Sequence, residues 1–235
     1  MIEIIPAILP ETVADIRNKV AGILGSARMV QIDLVDGKFA PTQTWPYNGE
    51  DSHFFESLVS EEEGMPYWQE ISYELDLMVK DAHQHLDFFF PFGPSRIVLH
   101  AEAEGDEKEF ADFMEGVDPY IRDSVEIGIA LNIDSSIDAY EHILKEADFV
   151  QCMGILNIGN QGEPFDEQVL EKIKELKTRF EGLPIAVDGG VSLENAKALI
   201  DAGATRLVVG SAIWKSGDPI ETIQAFKRIG AGFEA

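Results

Sequence analysis

Eight short apolar runs, distributed along the whole chain, constrain the fold more than any other feature of this sequence. Several are apolar at successive positions, as in Ile97-Val98-Leu99 and Leu207-Val208-Val209. Uninterrupted apolar runs of this length are typical of parallel strands that are buried on both faces. The eight candidate strands cover residues 3–9, 29–34, 71–79, 96–101, 125–133, 149–155, 184–187 and 206–209.

Amphipathic segments lie between the apolar runs. Apolar residues at helical spacing predict helices over residues 11–24, 135–145, 166–180 and 192–202. Gly25 and Gly203 follow the first and the last of these segments and are expected to end them, and Ser192 is expected to cap the last one.

The alternation of strands and helices predicts an α/β protein of the (β/α)8 TIM-barrel type. The chain has 235 residues, and such a barrel takes about 250, so we expect a single barrel domain over residues 1–235. A doubly wound open sheet is the rival. It usually has fewer strands and a glycine-rich turn after the first one, where this chain has Pro6-Ala7-Ile8-Leu9-Pro10.

The charge of the chain limits its partners. With 43 acidic and 18 basic residues the net charge is −25, which repels nucleic acid and anionic lipid, so we expect neither as a partner. Residues 1–159 carry 31 acids and 9 bases, and residues 160–235 carry 12 and 9. An anionic ligand is therefore better tolerated near the C-terminal third. The acid-rich stretch over residues 50–74 is expected to be a solvated face.

Two further features bear on the compartment. Cys152 is the single cysteine, which excludes an internal disulfide framework, and its apolar surroundings predict an inert core thiol. No apolar run reaches the roughly 18 residues that a membrane span needs, and the first residues lack the pattern of a signal peptide. We expect a cytoplasmic protein.

The turns after strands seven and eight predict a phosphate site. Gly189 and Gly190 follow strand seven, and Gly210 and Ser211 follow strand eight, each before a helix. Glycines let backbone N–H groups approach a phosphate closely, and a helix N-terminus favours negative charge. Further residues expected to contact the substrate end strands three and six or form the loop after strand six: Met78, Met153, Gly159, Asn160 and Gln161.

Carboxylates end three of the strands. Asp33 and Asp188 end strands two and seven, which lie three steps apart in an eight-stranded ring, so their side chains face each other across the barrel mouth. Such a pair can remove a proton from one face of a carbon and return it on the other. Asp76 adds a third acid, and three converging acids raise at least one pKa unless a cation sits among them.

The histidines and phenylalanines allow less specific predictions. His100 at the end of strand four is expected to be a packed or hydrogen-bonding residue, and His53, His83, His85 and His142 are expected at the surface. Phe54-Phe55 and Phe88-Phe89-Phe90 allow two interpretations: an interface in a homo-oligomer, or burial of helices against the barrel, which is favoured.

Together these stretches resemble the ribulose-phosphate 3-epimerase family over nearly the whole chain. The most specific ones are Asp36-Gly37-Lys38-Phe39-Ala40-Pro41, Asp188-Gly189-Gly190-Val191 and Gly210-Ser211-Ala212-Ile213. The resemblance implies a TIM barrel that inverts the carbon next to a ketose carbonyl, interconverting ribulose 5-phosphate and xylulose 5-phosphate. It also implies that Asp33 and Asp188 are catalytic and that the glycine turns hold the phosphate.

The chain departs from the family at three strand ends. Ala7 stands where the family usually has serine, and Gln31 and Asp76 stand where it has metal-binding histidines. The metal ligands implied here are Asp33, Asp76 and Asp188, with Gln31 as a fourth candidate. Because all of these offer oxygen, Mg²⁺ or Mn²⁺ would suit the site better than Zn²⁺.

The leading hypothesis is therefore an epimerase that acts on a small phosphorylated ketose through an enediolate, without an organic cofactor. A second hypothesis is a phosphate-ligand-binding barrel without catalysis. A third is a related ketose-phosphate enzyme with another substrate, such as a decarboxylase. That chemistry normally uses a lysine among the strand-end acids, for which Lys38 is the nearest candidate.

Overall fold

The computed structural model describes residues 2–160 and 162–232, and its eight strands close into one parallel barrel in sequence order. The predicted TIM barrel is confirmed, and each apolar run overlaps one strand. Strand ends differ from the predicted ones by at most two residues. The strands are β1 (Glu3–Ile8), β2 (Met29–Val35), β3 (Ser72–Met78), β4 (Arg96–His100), β5 (Glu126–Leu131), β6 (Phe149–Met153), β7 (Ile185–Asp188) and β8 (Arg206–Val209).

Helices surround the barrel, and those of the four predicted segments are present with shorter bounds. Short 3-10 helices cover Ala82–Phe88, Phe90–Phe92 and Ala101–Ala103. The α-helices of the described residues are α1 (Val13–Ala21), α2 (Ser52–Val59), α3 (Glu107–Gly116), α4 (Pro119–Arg122), α5 (Ile137–Leu144), α6 (Gln168–Arg179), α7 (Ala196–Ala202), α8 (Ser211–Trp214) and α9 (Pro219–Ala231). None of them is long and apolar enough to cross a membrane.

Two predicted helix ends were wrong, and local hydrogen bonds explain one of them. Helix α7 begins at Ala196 and not near Ser192, because the Asn195 side chain accepts from the Ser192 N–H at 2.8 Å and donates to the Gly190 carbonyl at 2.9 Å. This bridge holds the preceding residues in a turn. Helix α1 ends at Ala21, before the predicted Gly25.

An aromatic cluster packs the long connection between β2 and β3. Trp45 is fully buried and lies with its ring centroid 6.0 Å from that of Phe54, 6.3 Å from Phe55 and 5.5 Å from Phe92. The paired phenylalanines thus serve burial against the barrel, as favoured from the sequence. The acidic residues over 50–70 are exposed, so this part of the acid-rich stretch is the predicted solvated face. Glu74, at its end, is instead fully buried inside the barrel.

Glu74 belongs to a charged layer that closes the N-terminal end of the barrel. Arg96 Nη1 lies 3.6 Å from its carboxylate and 2.9 Å from that of Glu3, and Arg206 pairs with Glu126 at 2.9 Å. Burial raises the pKa of Glu74 to about 8, although the two arginines oppose the shift. The folded protein therefore binds this proton more tightly than the unfolded chain does.

Replacing Glu74 by Gln should reduce the pH dependence of stability. Because the folded-state pKa is raised, the contribution of Glu74 is complete below its ordinary pKa near 4.5 and is lost as the pH rises through about 8. The melting temperature of the unaltered protein should fall between pH 5 and pH 9. That of Glu74→Gln should fall less, and the two decreases should differ by at least about 4 °C. The exposed Glu70→Gln controls for loss of one charge. The same dependence of the melting temperature on pH in all three proteins would contradict the raised pKa of Glu74.

Candidate active site

A cavity opens at the carboxyl ends of the strands. Nearly all residues predicted to contact substrate line it: Asp33, Met78, Met153, Gly159, Asn160, Asp188, Gly189, Gly190, Gly210 and Ser211. Gln161 lies outside the described residues. The lining also includes residues that the sequence did not single out for contact, namely Ala7, Leu9, Ile155, Gly162, Glu163, Val191 and Val208.

The barrel geometry brings the predicted carboxylates together. Strand alternation places Gln31 and Asp33 on the same face of β2, and Asp33 stands level with Asp76 of β3 in the strand register. Asp188 is the last residue of β7, beside Met153 of β6. One oxygen from each of the three carboxylates lies within 4.8 Å of the others. Asp33 and Asp188 line the cavity, whereas Asp76 is fully buried beneath them.

The Gln31 side chain lies among the three carboxylates. Its Nε2 is 2.8 Å from Asp33 Oδ1, 3.0 Å from Asp188 Oδ2 and 3.4 Å from Asp76 Oδ2. An amide nitrogen carries two hydrogens, so it cannot satisfy three acceptors fully. The buried Oε1 atom of the same amide has no hydrogen-bond partner among the described residues. The arrangement has more acceptors than donors.

These residues fit a hard divalent cation. A flip of the Gln31 amide exchanges the positions of Nε2 and Oε1 with almost no change of shape. Oε1 and one oxygen of each aspartate then give four oxygen ligands for a cation. The separations of 2.8–3.4 Å from the amide to the carboxylates match the roughly 3 Å between neighbouring ligands around Mg²⁺, whose bonds are about 2.1 Å long. The trio of Asp33, Asp76 and Asp188 could therefore hold such an ion.

Asp76 is anchored by two further donors. His100 Nε2 lies 2.7 Å from Asp76 Oδ1, and Gln151 Nε2 donates to Asp76 Oδ2 at 3.0 Å. The prediction that His100 is a packed, hydrogen-bonding residue is confirmed, and Phe39 covers it with ring centroids 5.3 Å apart. Gln151 was missed from the sequence because it stands within an apolar run. Its position two residues before Met153, on the same strand face, was the available signal.

Burial and mutual repulsion raise the pKa values of both cavity-lining carboxyls. The pKa of Asp33 is well above its ordinary value because of burial, then because of the charges of Asp188 and Asp76. The pKa of Asp188 is also raised, by burial and by the charge of Asp76. The Gln31 hydrogen bonds oppose both shifts. One proton shared by such a pair leaves one carboxylate and one carboxylic acid at neutral pH.

The turn after β7 requires glycine. Gly189 and Gly190 have φ values of +99° and +66°, which residues other than glycine rarely adopt. A Cβ on Gly190 would lie 2.7 Å from Phe165 Cα, and one on Gly189 would lie 2.7 Å from Ile155 Cγ1. Bare backbone therefore forms this wall of the cavity, next to Gly210 and Ser211. A tetrahedral anion can approach N–H groups closely there.

The other histidines and Cys152 follow the sequence predictions with one exception, His83. His53, His85 and His142 are accessible to solvent, and Cys152 is a buried free thiol. The prediction of an exposed His83 was wrong. Its Nδ1 lies 2.5 Å from Glu104 Oε2, and its ring packs against Phe110 and Phe113. Helical spacing did not show this because the 3-10 segment Ala82–Phe88 turns His83 inward.

Comparison with known proteins agrees with this geometry. The model of the ribulose-phosphate 3 epimerase family matches residues 3–214. The chain belongs to this family. The ribulose-phosphate 3-epimerase of Bacillus subtilis (strain 168), whose name denotes an isomerase acting on a carbohydrate phosphate, is 29% identical over 234 residues, covering 97% of this chain and 99% of the relative.

Solved structures show the same fold at lower identity. The 3-hexulose-6-phosphate synthase of Salmonella typhimurium superposes with a TM-score of 0.70 at 14% identity, covering 98% of this chain and 99% of that one. The 3-keto-L-gulonate-6-phosphate decarboxylase of Vibrio cholerae also gives 0.70, at 13% identity and 99% coverage of each chain. At these identities the likeness concerns the barrel alone.

Proposed function

We propose that this protein epimerises a ketose phosphate at the carbon next to the carbonyl, with ribulose 5-phosphate and xylulose 5-phosphate as the pair that its family indicates. The observation that carries the proposal is the pair of carboxyls, Asp33 and Asp188, in one cavity that is also lined by Gly189, Gly190 and Gly210. The glycine wall binds the phosphate of the substrate, which sets the reacting carbon at the carboxyls.

The two carboxyls exchange roles with the direction of the reaction. The ionised one takes the proton from C3, whose C–H electron pair moves toward the C2 carbonyl and gives an enediolate. The protonated one then delivers a proton to the opposite face of C3, which restores the carbonyl with inverted configuration. The raised pKa values of Asp33 and Asp188 supply both the base and the acid at neutral pH.

The enediolate carries negative charge at its oxygens and needs positive charge or hydrogen-bond donors there. The Gln31 amide is the donor nearest to both catalytic carboxyls, and His100 and Gln151 fix Asp76 beneath them. A divalent ion, Mg²⁺ or Mn²⁺ rather than Zn²⁺, would be held by Asp33, Asp76 and Asp188 with Gln31. When bound, it supplies electrostatic stabilisation of the developing charge.

Two alternatives make different demands on the cavity. A binding barrel without catalysis needs the glycine wall but has no use for a pair of acids with raised pKa values. A decarboxylase normally needs a lysine at the strand ends, yet the cavity lining contains no lysine among the described residues, and Lys38 is exposed beyond β2. The acid pair therefore favours the epimerase.

One hard cation should bind at the Asp trio. Titration of metal-depleted protein with Mn²⁺, followed by electron paramagnetic resonance, should show one site, which Mg²⁺ competes for. Asp76→Asn should weaken it by at least about 10-fold because one anionic ligand is lost. The exposed Asp112→Asn should bind as the unaltered protein does. Zinc that copurifies stoichiometrically and survives Asp76→Asn would contradict this ligand set.

We also propose that the protein acts in the cytoplasm, where a buried free thiol such as Cys152 remains reduced.

Association into a homo-oligomer is a further proposal, for which the exposed Trp68 and the 37% exposed Phe88 offer apolar contact surface. Sedimentation velocity measures it directly.

A further inference from the structure

The cavity presents an electrostatic problem for a phosphorylated ligand. Its lining includes three carboxyl groups, those of Asp33, Glu163 and Asp188, and contains no lysine, arginine or histidine among the described residues. The chain as a whole carries a net charge of −25. Glu163 is held by Asn157, whose Nδ2 donates to its Oε2 at 3.2 Å, and it lies on the loop that contributes Gly159 and Gly162. Without a cationic side chain, the donors that line the cavity are backbone N–H groups and the neutral side chains of Asn160 and Ser211.

The ammonium group of Lys215 lies beside Gly162, a residue that lines this cavity. A Cβ built on Gly162, a lining residue, would be 3.2 Å from Lys215 Nζ, so the absence of a side chain at Gly162 leaves room for the ammonium group. Lys215 follows α8 directly, and its backbone N–H donates to the carbonyl of Ser211 at 2.9 Å, which ties it to another lining residue. Lys215 is exposed and takes part in none of the ion pairs among the described residues.

We propose that Lys215 is a phosphate-binding residue that bridges the loop after β6 and the turn after β8 and compensates the charge of Glu163. The proposal rests on the proposed function, since it assigns a residue to the phosphate end of the same cavity. A flexible lysine suits this position because its ammonium is a compact charge that can follow the phosphate from the rim. The ligand class is a phosphate monoester, for which dianionic charge matters more than the sugar.

Binding of D-ribulose 5-phosphate and of unphosphorylated D-ribulose, measured by calorimetry, tests this role. Lys215→Ala should weaken the affinity for D-ribulose 5-phosphate by about 5- to 20-fold, while Lys215→Arg should stay within about 3-fold of the unaltered protein. Affinity for D-ribulose should be the same in all variants. Lys108→Ala removes an equal charge from the exposed face of α3 and should have no effect.

Salt provides a second measurement. Raising the ionic strength from 20 to 300 mM should weaken D-ribulose 5-phosphate binding more in the unaltered protein than in Lys215→Ala, because the variant has lost a screened attraction. Equal affinity of Lys215→Ala and Lys108→Ala, with phosphate-dependent binding intact, would overturn this inference alone. Equal affinity of the unaltered protein for D-ribulose and D-ribulose 5-phosphate would overturn the phosphate site itself and this inference with it.

Discussion

Asp33→Asn and Asp188→Asn should each slow the incorporation of deuterium from D₂O into C3 of D-ribulose 5-phosphate by at least about 100-fold, and by up to about 10⁴-fold. Asparagine keeps the shape of the side chain but neither takes nor gives the proton. Exchange is followed by NMR, which detects it even where net epimerisation is small. The rate should depend on pH with both limbs above the ordinary carboxyl range, because both pKa values are raised.

Glu163→Gln is the matched control for this experiment. Glu163 lines the same cavity, so its substitution removes a carboxylate there without touching the Asp trio, and exchange should change by less than about 10-fold. Exchange at the unaltered rate in either aspartate variant would contradict the two-base mechanism. Binding without exchange above buffer, with and without Mg²⁺ or Mn²⁺, across pentulose and hexulose phosphates would establish the binding barrel instead.

The second large effect concerns the phosphate wall. Ser211→Asp should weaken binding of D-ribulose 5-phosphate by at least about 100-fold, or about 2.7 kcal/mol, because it places a carboxylate beside a dianion in a confined site. Ser211 is the first residue of α8, where an acidic side chain is compatible with the helix. Calorimetry with D-ribulose 5-phosphate, and competition by inorganic phosphate, measure the loss.

Ser211→Asn separates charge from size in this second experiment. Asparagine has nearly the same volume as aspartate and no charge, so any steric loss is shared by the two variants. Circular dichroism should be unchanged in both. Equal losses in the two variants would mean that Ser211 contributes space and not an anion contact, and unaltered binding in Ser211→Asp would place the phosphate elsewhere.

The barrel and the Asp trio could be predicted because they depend on short-range regularities. Continuous apolar runs indicate parallel strands, and the carboxyl ends of such strands share one edge, so residues as distant in sequence as Asp33 and Asp188 must meet. Strand register adds Asp76 beside Asp33. None of this requires knowledge of how individual side chains pack.

The features that were not predicted depend on contacts between side chains that follow no periodic pattern in the sequence. Gln151 reaches Asp76 across the barrel interior, His83 finds Glu104 through an irregular 3-10 turn, and Lys215 is near Gly162 only because two loops converge. Likewise, the late start of α7 results from one asparagine side chain that bridges a turn. Side-chain hydrogen bonds of this kind override the local preference of the backbone.

The charged layer of Glu74, Arg96 and Arg206 bears on how the catalytic protons exchange with solvent. This layer and the fully buried Phe149, over whose ring Arg206 lies at 4.5 Å, close the lower end of the barrel. The cavity that would hold the substrate lies at the other end of the barrel, at the carboxyl ends of the strands. A sugar bound in this cavity would lie over Asp33 and Asp188, which line it, and would slow exchange of a proton held on either carboxyl with bulk water. Because the product receives its C3 hydrogen from the second carboxyl, the deuterium content of product formed in the first turnover in D₂O measures whether that carboxyl exchanged with solvent before the sugar bound.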